Sequence, residues 1–143
     1  MAVRKASARW EGTLKEGKGT VALDSGAFEG QYSFSSRFEE GTGTNPEELI
    51  GAAHAGCFTM ALNVALERAG HLPNFVSTTA KVTLGKNAAD QLAITNIDLI
   101  VTGSVDGIDA ETFTKFAEEA KDGCIISRAL NVESMTVTAT LES

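Results

Sequence analysis

Cysteine is scarce in this chain: Cys57 and Cys124 are the only two among 143 residues. Two thiols cannot form a disulfide framework or a four-thiolate zinc site. The two histidines, His54 and His71, do not complete a zinc pattern with them. Proline is equally rare, at two residues, and no low-complexity tract occurs, which excludes a disordered, proline-rich chain. Positive charge is in deficit. Twelve Lys and Arg face 19 Asp and Glu, for a net charge of −7, so the electrostatic footprint for phosphate backbones is missing and no nucleic-acid partner is expected. The first ten residues have no apolar h-region, and a secretory signal is not expected. The longest apolar stretch, residues 49–66, is broken by His54, Thr59 and Asn63 and is rich in Gly and Ala. It reads as a buried helix of a soluble protein, with no membrane partner. The expected compartment is the cytoplasm, where a structural disulfide is unexpected. The two cysteines are then buried bystanders or a redox pair.

What is present suits one globular domain over residues 1–143. Hydrophobic residues make up 43% and charged residues 22%, and a domain of this size buries roughly two-thirds of its unfolded surface. Residues 7–14 and 19–23 read as strands about a Lys15–Lys18 turn, and Asp24-Ser25-Gly26 marks a second turn. Residues 32–38 alternate, with Tyr32, Phe34 and Phe38 on one face and Ser33, Ser35 and Arg37 on the other, which predicts a third strand. A helix follows, starting from Thr44 in a capping box or from Asn45 with Pro46 at the first helical position. It runs to about Ala69 and stops at Gly70. Strands are predicted at 78–84, 91–102 and 134–141. A helix is predicted at 110–122 behind an Asp109 cap, with one further turn at 125–130. The class is α+β.

The long helix is apolar on nearly every face and needs protein all round it. One chain offers cover for about half of it, which predicts an obligate homodimer with the helix at its centre. Cys57 lies mid-helix and gains nothing from a helix N-terminus, so a reactive thiolate there needs a cation. Arg37, Lys18, Arg9 and Lys15 are the candidates, Arg37 being equally readable as a solvated strand residue. Glu47 and Glu48 open the helix, where one of them suits a cap. His54, three residues before Cys57, is either its partner or a hydrogen-bonded core residue, with no third orienting group identifiable.

Thr44-Asn45-Pro46-Glu47-Glu48-Leu49-Ile50-Gly51-Ala52-Ala53-His54-Ala55-Gly56-Cys57-Phe58 resembles the signature of the OsmC/Ohr family of thiol peroxidases. Trp10-Glu11-Gly12, Lys18-Gly19-Thr20 and Arg37-Phe38-Glu39 resemble the OsmC branch. Gly107-Ile108-Asp109 and Ala120-Lys121-Asp122-Gly123-Cys124 resemble its C-terminal half. The resemblance implies an OsmC-like fold: an intertwined homodimer whose long central helices are wrapped by antiparallel β-sheets. It implies a peroxidase that prefers organic hydroperoxides, uses no metal or cofactor, and is recycled by an external dithiol such as a lipoylated protein. Cys57 matches the peroxidatic cysteine, Cys124 the resolving cysteine, Arg37 the branch's arginine and Glu47 the motif's glutamate. Many relatives carry proline after the resolving cysteine, where this chain has Ile125.

In the implied reaction Arg37 stabilises the Cys57 thiolate and Glu47 holds the guanidinium. Cys57 attacks the peroxide and becomes a sulfenic acid, and Cys124 condenses with it to a disulfide. Glu47 and Cys57 are ten positions apart, about 15 Å of helical rise and roughly 280° of rotation. Either the helix breaks near Gly51, or Glu47 of one chain serves Cys57 of the other; the shared site is the expectation. Gly56, Phe58 and Met60, with Ile50 and Leu49 further up the helix, are the expected apolar wall for the substrate. The rival function is a redox sensor or small apolar ligand-binding protein without steady turnover.

Overall fold

The computed structural model describes residues 1–142. The chain divides into two compact units, residues 1–49 and residues 50–143. In the first unit β1 (Ala6–Glu11), β2 (Lys18–Leu23) and β3 (Glu29–Tyr32) form an antiparallel sheet in chain order. The first strand ends at Glu11, short of the expected residue 14, because Gly12 takes φ +93° and turns the chain. Gly19 pairs with Trp10 on one side and Tyr32 on the other. The two rings meet edge to face at 5.3 Å, and a Cβ on Gly19 would lie 2.5 Å from the Tyr32 ring and 2.6 Å from Trp10. The absent side chain makes room for this aromatic pair.

The strand expected over residues 32–38 is corrected. Tyr32 ends β3, and Phe34–Phe38 is a single helical turn, α1. Ser33 accepts from the Ser36 N–H while Ser36 Oγ accepts from the Ser33 N–H, a reciprocal cap that draws these backbone groups away from a ladder. Phe34 and Phe38 share a face either way, since residues four apart coincide at period 2 and nearly so at period 3.6; their rings are 5.1 Å apart.

The start of α2 (Pro46–Arg68) selects the Asn45 register. Asn45 Oδ1 accepts from the Glu48 N–H at 2.8 Å, while the Thr44 hydroxyl donates to the Glu48 carboxylate at 2.8 Å. The helix is continuous and ends where Gly70 adopts φ +86°, with the His71 N–H reaching back to the Leu66 carbonyl.

In the second unit β4 (Pro73–Lys86) and β5 (Leu92–Val105) form a long antiparallel hairpin, and β6 (Ser134–Leu141) joins the free side of β5 in parallel. The expectation of antiparallel sheets therefore holds for the first sheet and needs correcting for the second. A parallel neighbour requires a crossover, here made of α3 (Ala110–Gly123) and α4 (Ile125–Ala129). Asp109 caps α3 by accepting from the Thr112 N–H. Phe58, Leu62 and Leu66, spaced four apart on α2, are fully buried in one cluster with Ile97, Leu99 and Val101 of β5 and Phe113 and Ala117 of α3. Each large side chain buried there contributes about 1.5–3 kcal/mol. A Cβ on Gly51 of α2 would lie 3.4 Å from the Val82 side chain on β4.

By length and composition α2 could cross a membrane. Its Phe58–Leu62–Leu66 face is instead occupied by the protein's own core. On the remaining surface of the helix Met60 is 71% exposed and Val64 42%. One chain therefore covers one face of α2.

Candidate active site

Four side chains were expected to carry chemistry, and the structure groups them in two pairs, one in each unit. In the first unit α1 presents Arg37 and the first turn of α2 presents Glu47. Arg37 Nη2 donates to Glu47 Oε1 at 2.8 Å, and Nε donates to Oε1 at 3.1 Å and Oε2 at 3.3 Å. This forked geometry fixes the guanidinium plane. Glu47 is buried, and with Asn45 capping the helix it is spared that duty. Arg37 remains partly exposed and also lies over the Phe38 ring, 5.1 Å from its centroid.

In the second unit the two cysteines, 67 positions apart, come together. Cys57 projects from the middle of α2, and Cys124 occupies the corner between α3 and α4, its N–H bonded to the Ala120 carbonyl. Both thiols are free and line one cavity, where each shifts the proton affinity of the other. Their surroundings polarise them in opposite senses. Burial acts to raise the Cys57 thiol. Hydrogen bonds from Cys124 and from the Ile126 and Ile125 backbone N–H groups, with the Arg128 charge, outweigh it and hold Cys57 below the ordinary thiol range. Cys124 is pushed up, first by burial and then by its bond to Cys57. The pair is thus a thiolate-prone Cys57 beside a Cys124 that holds its proton more tightly.

The sequence reading missed these donors. It sought a cation for Cys57 in the N-terminal meander, whereas the charge that lowers the thiol is Arg128 of its own unit, on the short α4 beyond Cys124. The departure at Ile125 has a consequence here. Isoleucine has a backbone N–H and proline has none, so the substitution adds one donor to the Cys57 sulfur.

His54 does not pair with Cys57 through a direct bond. It is fully buried, with Nε2 2.7 Å from Ser127 Oγ and with Nδ1 lacking a partner among the described residues. Burial lowers its pKa and keeps the ring neutral.

A cavity of about 650 Å³ opens beside Cys57 and Cys124. The apolar wall differs from the expected one. Met60 lines it, but Phe58 is fully buried in the core. Ala61, Val64 and Ala65 from the next turns of α2 and Ile125 and Ile126 from α4 extend the apolar wall, while Arg68 and Glu119 add charged groups to the lining.

The OsmC-like protein family matches residues 39–140, a span that includes Glu47, Cys57 and Cys124 and begins just after Arg37. Peroxiredoxin OsmC of Escherichia coli (strain K12) is 51% identical over 131 residues, covering 91% of each chain. Organic hydroperoxide resistance protein OhrA of Bacillus subtilis (strain 168) is 34% identical over 86 residues, covering 60% of this chain and 59% of its own. A solved OsmC-like protein of unknown function from Vibrio cholerae O1 biovar eltor shares the fold, with a TM-score of 0.78 at 19% identity, over 96% of this chain and 100% of its own. With a family match over most of its length and a relative identical at half its positions, the chain belongs to the OsmC-like protein family.

Proposed function

We propose that the protein is a thiol-dependent peroxidase that reduces organic hydroperoxides to alcohols. The observation that carries this reading is the pair of free thiols lining one cavity, with Cys57 drawn below and Cys124 pushed above the ordinary thiol range. Such a pair has a nucleophile and a reserve thiol already assigned. The identity to a named peroxiredoxin supports the same chemistry. The Cys57 thiolate attacks the distal peroxide oxygen. The O–O bond breaks, two electrons pass from sulfur to the peroxide, and the alkoxide leaves to be protonated as the alcohol. Cys57 is left as a sulfenic acid, with which Cys124 condenses to form a disulfide and water. An external dithiol, such as a lipoylated protein, reduces the bridge by exchange. A cycle that must return to two free thiols suits the reducing cytoplasm.

The test uses cumene hydroperoxide with an excess of dithiol. Steady consumption over many equivalents per chain is the expected result. A single stoichiometric oxidation that then stops would favour a redox sensor instead.

The two units serve one OsmC-like domain over residues 1–143, and that domain works as a homodimer. The exposed Met60 and Val64 face of α2 supports a second copy as its cover. The unbroken helix between Glu47 and Cys57 supports a shared site. Without a break near Gly51, ten helical positions separate the two by about 15 Å of rise, so the Arg37–Glu47 pair of one chain attends Cys57 of its partner. Mixing Cys57→Ser and Glu47→Ala subunits tests this. In the shared arrangement one heterodimer site carries both lesions and the other none, so activity rises above that of either parent. A site contained in one chain would leave one lesion in each, and no rescue would appear.

A further inference from the structure

The chain has one tryptophan and one tyrosine. The first unit places both rings, with those of Phe34 and Phe38, around a cavity of about 350 Å³. None of the four belongs to the hydrophobic core, whose buried cluster is drawn from the second unit. Phe38 is 40% exposed, and Trp10, Tyr32 and Phe34 are half-buried. Packing alone does not account for four half-covered rings about an open space. The walls are nevertheless fixed. The Trp10 indole N–H donates to the Thr13 carbonyl at 3.1 Å, and a Cβ on Gly17 would crowd that nitrogen at 2.8 Å. Tyr32 meets the indole edge to face, and α1 holds Phe34 and Phe38 side by side.

The charge at this cavity runs against that of the chain. The protein carries a net −7, yet among the described residues no Asp or Glu lines the space, and the charged group that does is Arg37. Its guanidinium lies 5.1 Å from the Phe38 centroid. Glu47 engages Nε and Nη2, which leaves Nη1 as a donor for another acceptor. At the rim the Lys15 ammonium stands 5.8 Å from the Phe34 centroid, with no carboxylate partner among the described residues. Aromatic walls favour a flat aromatic occupant, and two cations favour an anion, above all a carboxylate that accepts from the guanidinium. The volume is at the small end for ligand sites, which suits one or two fused rings.

We propose that this cavity is a binding site for a small aromatic carboxylate and uses neither thiol. The ring system lies among Trp10, Tyr32, Phe34 and Phe38. The carboxylate accepts from Arg37 Nη1, with the Lys15 charge beside it. Every group the site uses belongs to residues 1–49, so the assignment does not depend on the peroxidase reading of Cys57 and Cys124. Arg37 is the one group common to both.

Trp10 is the only tryptophan, so its indole N–H gives a single signal in a proton–nitrogen correlation spectrum, and that signal reports on the cavity wall. The full chain is titrated with naphthoate, with naphthylmethanol, which keeps the rings and lacks the charge, and with hexanoate, which keeps the charge and lacks the rings. Naphthoate should shift the indole signal to saturation. Both other compounds should bind about 10-fold more weakly or worse, as expected when a charge-assisted hydrogen bond or the ring contacts are lost. Lys15→Gln should weaken naphthoate about threefold, as for one exposed ion pair, and leave naphthylmethanol unchanged. Phe34→Ala should weaken both aromatic compounds; should it fail to fold, Lys15→Gln and the three ligands decide the matter. Cys57→Ser should bind naphthoate as the wild type does. An indole signal that naphthoate does not shift to saturation overturns the assignment, as does equal binding of naphthoate and naphthylmethanol. Loss of binding in Cys57→Ser would put the ligand at the thiol and overturn it too.

Discussion

Replacing Cys57 by serine should abolish dithiol-dependent peroxide consumption, whereas Cys124→Ser should retain one fast oxidation per chain and then become prone to overoxidation. The two outcomes follow from the opposite polarisation of the pair. Cys57 is the sulfur toward which the Ile125 and Ile126 N–H groups, the Cys124 thiol and the Arg128 charge are directed, so its thiolate is the form the site stabilises. A serine there has no accessible anion and no sulfur to oxidise. Serine at position 124 leaves the Ile125 and Ile126 N–H groups and the Arg128 charge acting on Cys57, which keeps the first step. It cannot form an S–S bond, so the Cys57 sulfenic acid survives to meet a second peroxide and gains a second oxygen as sulfinic acid. Mass spectrometry after excess peroxide should show a Cys57–Cys124 link in the wild type and a doubly oxygenated Cys57 in Cys124→Ser. Links between Cys124 residues of different chains in the wild type would remove the resolving role.

Organic hydroperoxides should exceed hydrogen peroxide in kcat/KM by about 100-fold or more. Burial of each methylene-sized group is worth about 0.8 kcal/mol, and the cavity beside Cys57 is lined by Met60, Ala61, Val64, Ala65 and Ile126. A cumyl or fatty-acyl tail buries several such groups, and contact kept through the attack lowers the barrier. Hydrogen peroxide has no tail, while the N–H groups and charges around the sulfur act on both substrates alike. The comparison is made at saturating dithiol. Equal values would show that the apolar wall does not hold the substrate during attack.

The elements most legible in the sequence are those whose signals are local. Residues 134–141 alternate strictly and form β6 with the same ends. Asp109 announces α3 because its side chain reaches an N–H only three residues ahead. The α1 turn was misread because Phe34 and Phe38 satisfy both periods, and the deciding fact is a pair of serine side chains that hydropathy does not register. The parallel placing of β6 was likewise out of reach, since alternation reports which residues share a face and is silent on strand direction.

For the site, residue order makes legible two thiols, an arginine, a glutamate and a long apolar helix that carries one thiol. Their arrangement belongs to the folded chain. It puts Cys124 against Cys57, turns the Ile125 and Ile126 N–H groups and Arg128 toward the nucleophile, pairs Arg37 with Glu47, and gives His54 a partner 73 residues away. The reason is physical. Periodicity and capping depend on neighbours within one turn or one strand pair. The proton affinity of a thiol depends on desolvation and on donors brought by whichever segments fold against it, and those contacts exist only once the chain has closed.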